Sequence, residues 1–147
     1  MKYKTKSATE TKLVAKIFAE ELIVITPRKR ALVVLLKGDL GAGKTTFTQG
    51  LMRALGVKKR ILSPTFALLR SYTVRAGNFS KVHHFDCYRI GEAKEMNDLG
   101  FSDLLKDPKN IILIEWPERI RTILPREKVT VALAHGDTAK ERTIEVK

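Results

Sequence analysis

The stretch Ala31-Leu32-Val33-Val34-Leu35-Leu36-Lys37-Gly38-Asp39-Leu40-Gly41-Ala42-Gly43-Lys44-Thr45 decides the fold of this chain. Ala31 to Leu36 is apolar without alternation, the pattern of a strand buried on both faces, as central parallel strands are. Gly38 to Thr45 then matches GxxxxGK[ST], and a helical pattern follows at once. In it Phe47, Leu51 and Leu55 recur at i, i+4 and i+8, and Gly56 stands where a helix C-terminus wants a positive φ. Strand, glycine loop and helix in succession are the context a phosphate loop requires. Its backbone from Gly38 through Asp39, Leu40, Gly41, Ala42 and Gly43 curls so that N–H groups point at phosphate oxygens, and the positive end of the helix adds to the attraction. Lys44 supplies a mobile point charge for the β and γ phosphates of a nucleotide. Thr45 offers a hydroxyl to magnesium, whose octahedral shell otherwise takes waters and phosphate oxygens.

Working outward, Ser7-Ala8-Thr9-Glu10 has capping-box spacing, and Leu13, Val14, Ile17, Phe18 and Leu22 recur on one face, predicting an amphipathic helix from Thr9 to Leu22. Pro27 to Arg30 breaks that pattern. Beyond the loop, Phe66 to Val74 and Lys81 to Ile90 flank the turn-rich Arg75 to Asn78, predicting an antiparallel hairpin. Gly91 to Lys106 predicts short helices broken near Gly100. Ile111 to Ile114 is a second fully apolar strand, and Val129 to Ala134 with Arg142 to Lys147 predict a closing strand pair around His135-Gly136-Asp137. The expectation is one α/β domain over residues 1–147 with a P-loop NTPase-like fold: a mixed sheet with a parallel core and antiparallel hairpins, flanked by helices.

Composition narrows the class further. A 44% apolar, 30% charged chain of 147 residues has the means to build one core and is too apolar for a disordered one. No apolar run approaches the roughly 20 residues of a membrane helix, and no apolar segment follows the basic Met1 to Lys6 start, so neither secretion nor membrane spanning is expected. Cys87 is the only cysteine, which excludes an internal disulfide and a thiolate cluster and fits a reducing cytoplasm. The net charge of +12, from 28 basic and 16 acidic residues, would attract a polyanion. The basic residues are scattered along the sequence, however, and no nucleic-acid-binding motif organises them.

A phosphate loop fixes nucleotide binding but not the reaction. Glu115 ends the apolar strand Ile111 to Ile114, where an acidic residue would face magnesium beside Thr45, although Asp is the commoner choice there. Trp116 follows it and belongs either to the nucleotide site or to the core. Thr65, in the turn Ser63-Pro64-Thr65-Phe66, is placed like a switch hydroxyl that reaches the γ-phosphate, the metal or the attacking water. In His84-Phe85-Asp86-Cys87-Tyr88-Arg89, strand alternation puts His84, Asp86 and Tyr88 on one face. Asp86 is either a carboxylate that orients water or a partner of Arg89 or a lysine. His83 and His84 point to opposite faces of a strand and make a poor zinc pair.

Taken together and in this order and spacing, GDLGAGKTTFTQG (38–50), SPTF (63–66), HFDCYR (84–89) and IEWPER (114–119) resemble the TsaE family, the ATPase component of bacterial tRNA threonylcarbamoyladenosine biosynthesis. The resemblance covers nearly the whole chain. It implies ATP and magnesium as ligands, with Lys44 and Thr45 on phosphate and metal and Thr46 close by. It also implies Glu115 as the Walker B acid, Thr65 in the switch segment, Asp86 as a residue needed for activity, and a functional Trp116. The implied partners are a kinase-like catalytic subunit and its inactive paralogue, which install the threonylcarbamoyl group on tRNA; the scatter of basic residues, for its part, suggests that contact between this chain and tRNA is indirect. Hydrolysis would be slow alone, stimulated by the pair, and used to reset it between rounds.

Other readings of a phosphate loop remain to be set beside this one. A small-molecule kinase needs an acceptor pocket and a basic lid, for which the chain has little spare length. A GTP switch would carry Asn-Lys-x-Asp, absent here. A nucleotide-locked scaffold would need no turnover.

Overall fold

The computed structural model describes residues 1–24, 28–62 and 67–147. In chain order the elements are β1 (Lys2–Thr5), α1 (Ala8–Ile23), β2 (Leu32–Lys37), α2 (Lys44–Ala54), β3 (Leu69–Ala76), β4 (Phe79–Asp86), α3 (Glu95–Asp98), α4 (Phe101–Lys106), β5 (Asn110–Glu115), a 3₁₀ segment (Pro117–Ile123), β6 (Val129–His135) and β7 (Arg142–Val146). The strands form one seven-stranded sheet in the order β1-β7-β6-β2-β5-β4-β3. Its centre is parallel: β2 pairs with β5 and β6, and β4 pairs with the far side of β5. Its margins, β3 on one side and β7 with β1 on the other, are antiparallel. The mixed α/β architecture expected from the sequence is therefore the one observed.

Burial follows the apolar runs. Every residue of β5 is buried, as are the first five of β2, because both strands have neighbours on either edge and helices over both faces. One face packs on α1 and α2 through Leu32, Val34, Leu36, Phe18, Phe47 and Leu51. The other packs on α3, α4 and the 3₁₀ segment through Val33, Leu35, Phe85, Ile112, Ile114, Met96, Phe101 and Ile120. The Phe85 and Phe101 rings meet edge to face, with centroids 5.6 Å apart.

The first helix starts one residue earlier than predicted. Ser7 Oγ accepts from the Glu10 N–H at 3.2 Å, and a Glu10 carboxylate oxygen accepts from the Lys6 N–H at 2.6 Å, so orphan donors at the helix entry are satisfied. The predicted apolar face is corrected in part. The buried stripe is Thr11, Val14, Ala15, Phe18, Ala19 and Leu22, while Leu13 is 56% and Ile17 37% exposed. Small residues draw the contact round the helix: an added Cβ at Gly50 of α2 would lie 2.8 Å from the Lys12 Cα, so the two backbones touch at that crossing.

The hairpin of β3 and β4 is present, but β4 is not a peripheral hairpin strand. It is antiparallel to β3 and parallel to β5, which places it inside the sheet. It also ends at Asp86 rather than Ile90, because an Asp86 carboxylate oxygen accepts from the Tyr88 N–H at 2.9 Å and turns the chain. The break near Gly100 is as expected, with φ of 80° there. Among the described residues no helix is long and apolar enough to cross a membrane.

Candidate functional site

Because β2, β4, β5 and β6 run parallel, their C-terminal ends lie along one edge of the sheet, where ligands of such sheets bind. The glycine loop leaves β2 there, Glu115 closes β5, Asp86 closes β4 and His135 closes β6. Asp86 is the register partner of Glu115, and Glu115 that of Leu36, so the three strand ends stand side by side. Both carboxylates share the sheet face that α2 covers, since they alternate in step with Val82 and Leu113.

The loop turns through three glycines of positive φ, Gly38, Gly41 and Gly43. Gly38 has φ of 147°, and a Cβ there would stand 2.5 Å from the Leu133 carbonyl oxygen, so β6 itself forbids a side chain. Lys44 is 7% exposed, and its ammonium donates to the carbonyl oxygens of Gly38 (2.6 Å) and Asp39 (2.9 Å). That ammonium also lies 4.6 Å from the centre of the Trp116 ring. Trp116 has φ of 56°, the only positive φ at a non-glycine residue among those described, and its ring packs at 5.0 Å from that of Tyr88. Trp116 both lines the cleft and packs on the apolar cluster beneath it.

These groups border a cleft of about 770 Å³, within the range of small-molecule sites. Leu40, Gly41, Gly43, Lys44, Thr45, Thr46, Asp86, Glu115 and Trp116 all line it, whereas Gly38 and Asp39 lie on a smaller cavity behind the loop and Ala42 is fully buried. Thr65 falls outside the described residues.

The two carboxylates have different neighbours. Burial raises the Asp86 carboxyl above its ordinary value; the Tyr88 N–H opposes this and the charge of Glu115 adds to it. Glu115 is held instead by His84, whose Nε2 lies 3.2 Å from its Oε1 in a pair that is 1% and 6% exposed. The neighbouring Cys87 thiol is pushed up to about 12, chiefly by burial and then by Asp86 and Glu115, so it stays a thiol packed in the core. His83 and His84 diverge as expected, His83 Nδ1 meeting Ser71 Oγ at 2.7 Å.

Several site residues escape the sequence reading. Arg142 of β7 donates to the Gly41 carbonyl at 3.0 Å, and His135 Nε2 lies 3.3 Å from the Leu40 carbonyl, so the closing strand pair braces the glycine loop. Ser7 and Thr11 at the start of α1 also line the cleft, beside Arg142 by way of Thr5, which is the register partner of Arg142 and meets Thr11 at 2.9 Å. The pairings of β1 with β7, of β7 with β6 and of β6 with β2 bring these positions together, and no local motif marks them as lining a site.

A parallel-cored sheet with a glycine loop between its central strand and the helix that follows defines a P-loop NTPase-like protein. A family model described as threonylcarbamoyl adenosine biosynthesis protein TsaE matches residues 5–144, and the chain belongs to the TsaE family. A Rickettsia typhi protein named tRNA threonylcarbamoyladenosine biosynthesis protein TsaE is 42% identical over 135 residues, 91% of this chain and 86% of its own length. Proteins of the same name from Haemophilus influenzae and Bacillus subtilis are 38% and 34% identical, over 85% and 97% of this chain and 76% and 84% of theirs. The crystal structure of Bacillus subtilis YdiB superposes with a TM-score of 0.75 at 30% identity, covering 98% of this chain and 82% of that one.

Proposed function

We propose that this chain is an ATPase serving tRNA threonylcarbamoyladenosine biosynthesis, the process for which its relatives are named. One observation carries the enzymatic part: the glycine loop, Glu115 and Asp86 stand on three adjacent parallel strands and all face the same cleft. The donor set fits Mg-ATP. The carbonyls of Gly38 and Asp39 hold the Lys44 ammonium at loop height, where phosphate oxygens can replace them, and Thr45 and Glu115 offer the hard oxygen ligands that magnesium takes. Magnesium, when bound, neutralises charge that develops on the phosphate oxygens.

In this reading Lys44 and the loop N–H groups bind the β and γ phosphates, and the Trp116 ring screens one side of the ammonium from solvent. His84 holds the Glu115 carboxylate in one orientation, with Thr45 beside it across the cleft. Asp86 accepts a hydrogen bond from the attacking water; as the water oxygen bonds to the γ-phosphorus and the bond to ADP breaks, the water proton passes to an Asp86 carboxylate oxygen. The raised pKa of Asp86 makes it a better acceptor than an ordinary aspartate.

The partners in this proposal are the kinase-like catalytic subunit and its paralogue. Leu40 and Tyr88, 71% and 43% exposed at the rim of the cleft, give them apolar surface to cover. Covering the rim excludes bulk water, so the pair stimulates turnover, and hydrolysis then releases it for another round.

Steady-state ATPase assays with and without the pair, alongside calorimetry of nucleotide binding, test the proposal. Lys44→Ala should abolish tight binding. Glu115→Ala and Asp86→Ala should bind ATP and lose about 10² to 10⁴ in turnover. Wild-type turnover by both carboxylate variants at saturating ATP, or unchanged affinity in Lys44→Ala, refutes the assignment.

A further inference from the structure

The basic residues that look scattered in the sequence are gathered by the fold. Where α1 crosses α2 on the outside of the sheet, a groove of about 430 Å³ is lined by Lys12 and Lys16 from α1, Gln49, Gly50 and Arg53 from α2, and Arg60 beyond it. All four cationic side chains are exposed. Lys12, Arg53 and Arg60 carry no ion pair among the described residues, and the Lys16 contact with Glu20, at 3.8 Å between two mostly exposed side chains, is weak enough to be given up. Leu40 to Phe85, which supplies Arg53 and Arg60, contains no aspartate or glutamate at all, and the acidic residues of α1, Glu10, Glu20 and Glu21, do not line the groove. Gly50 lets the helices touch, and this keeps the cations of both on one narrow strip.

We infer that this groove binds the phosphate backbone of RNA. Lys12 and Lys16 are one helical turn, about 6 Å, apart along α1, comparable with the separation of successive phosphates on one strand. An acidic protein surface is the poorer fit. Protein interfaces are depleted in lysine and enriched in aromatic residues, and this groove has two lysines and no aromatic side chain. A second cationic cleft, lined by Arg28, Lys29, Arg30 and Arg126, is also a poorer candidate. It includes Glu127, which already pairs with Arg28 at 3.0 Å, whereas the α1–α2 groove, lined otherwise by Ala54 and Ile61, has no acidic residue. The α1–α2 groove shares no residue with the nucleotide cleft, so the inference stands apart from the ATPase reading. Direct contact between this chain and RNA replaces the indirect one that dispersal in sequence suggests.

Fluorescence anisotropy of labelled unfractionated tRNA, titrated with the full chain between about 50 and 200 mM salt, reads this directly. Wild type should bind with affinity that falls steeply as salt rises. Lys12→Gln/Arg53→Gln should bind about tenfold more weakly at the low-salt end, with a slope of log affinity against log salt shallower by about 1.5. Lys16→Gln/Arg60→Gln should behave alike, and both should keep wild-type ATP affinity, which shows that they are folded. Lys29→Gln/Arg126→Gln, with the same change of net charge, should keep both the RNA affinity and the slope. The inference is overturned if wild type shows no salt-dependent binding or if the groove variants match it. It is equally overturned if the loss falls on the Lys29/Arg126 variant, or if the groove variants lose only their binding to the modifying subunit pair.

Discussion

The two faces of the sheet are cut from the same strands, and at the C-terminal strand ends they bear opposite kinds of side chain. On β4, His84 and Asp86 turn toward α1 and α2, while Phe85, and Cys87 just beyond the strand, turn toward α3 and α4; on β5, Glu115 takes the first face and Ile114 the second. The period of two in a strand lets one backbone serve both purposes. Both faces pack apolar clusters, and on the one toward α3 and α4 the packing continues to the strand ends. At the C-terminal edge the other face holds two carboxylates and a lysine in positions that burial makes costly. A substitution should therefore act differently according to the parity of its position.

The largest expected effect lies on the packed face. Phe85→Ala removes a fully buried ring in edge contact with Phe101 and should cost about 3–5 kcal/mol, seen as a lowered denaturant midpoint. A loss well under 1 kcal/mol would mean that this face is not what holds the sheet together.

One residue further along, the sign should reverse. Asp86→Asn keeps an oxygen for the Tyr88 N–H but relieves a buried charge beside Glu115. The folded pKa of Asp86 is raised, so the native state holds its proton to higher pH than the unfolded chain does. Wild-type stability thus falls as pH rises from the ordinary carboxylate value through the raised one. The variant should lack that fall and be the more stable protein at neutral pH while losing turnover. Equal stability of the two proteins across that window would erase the contrast between faces.

The smallest effect concerns His83, whose pKa is lowered chiefly by burial, with the Asn110 side chain opposing. Here the unfolded chain takes up the proton first, so this residue's contribution is present above the ordinary histidine value and is lost as pH falls below it. His83→Asn should flatten the wild-type decline in urea midpoint between about pH 7.5 and 5. An unchanged decline would assign it to other groups.

What could be read beforehand was whatever is local. The phosphate loop, its flanking strand and helix, the Ser7 cap, the Gly100 break and both hairpins each rest on a few consecutive residues. Pairings between distant segments were not legible. The place of β4 beside β5, and the support of Gly41 by Arg142, depend on sheet order, which no single window contains. Leu13 and Ile17 were misassigned because a helical stripe read from large residues alone ignores Ala15 and Ala19, whose small side chains let α2 approach closest. Glu115 and Asp86 could be singled out as strand-end carboxylates, but their adjacency is a property of register.

The left-handed turn at residue 116 has an optical consequence. Trp116 is the sole tryptophan of the chain, and its ring centre lies 4.6 Å from the Lys44 ammonium, which in the proposed function is drawn to the incoming phosphate. Indole emission is sensitive to a neighbouring positive charge and to exposure to water. If the loop binds nucleotide as proposed, the unlabelled protein carries its own fluorophore at the point of ligand entry, and occupation of the loop can be followed in a stopped-flow cell at the speed at which it happens.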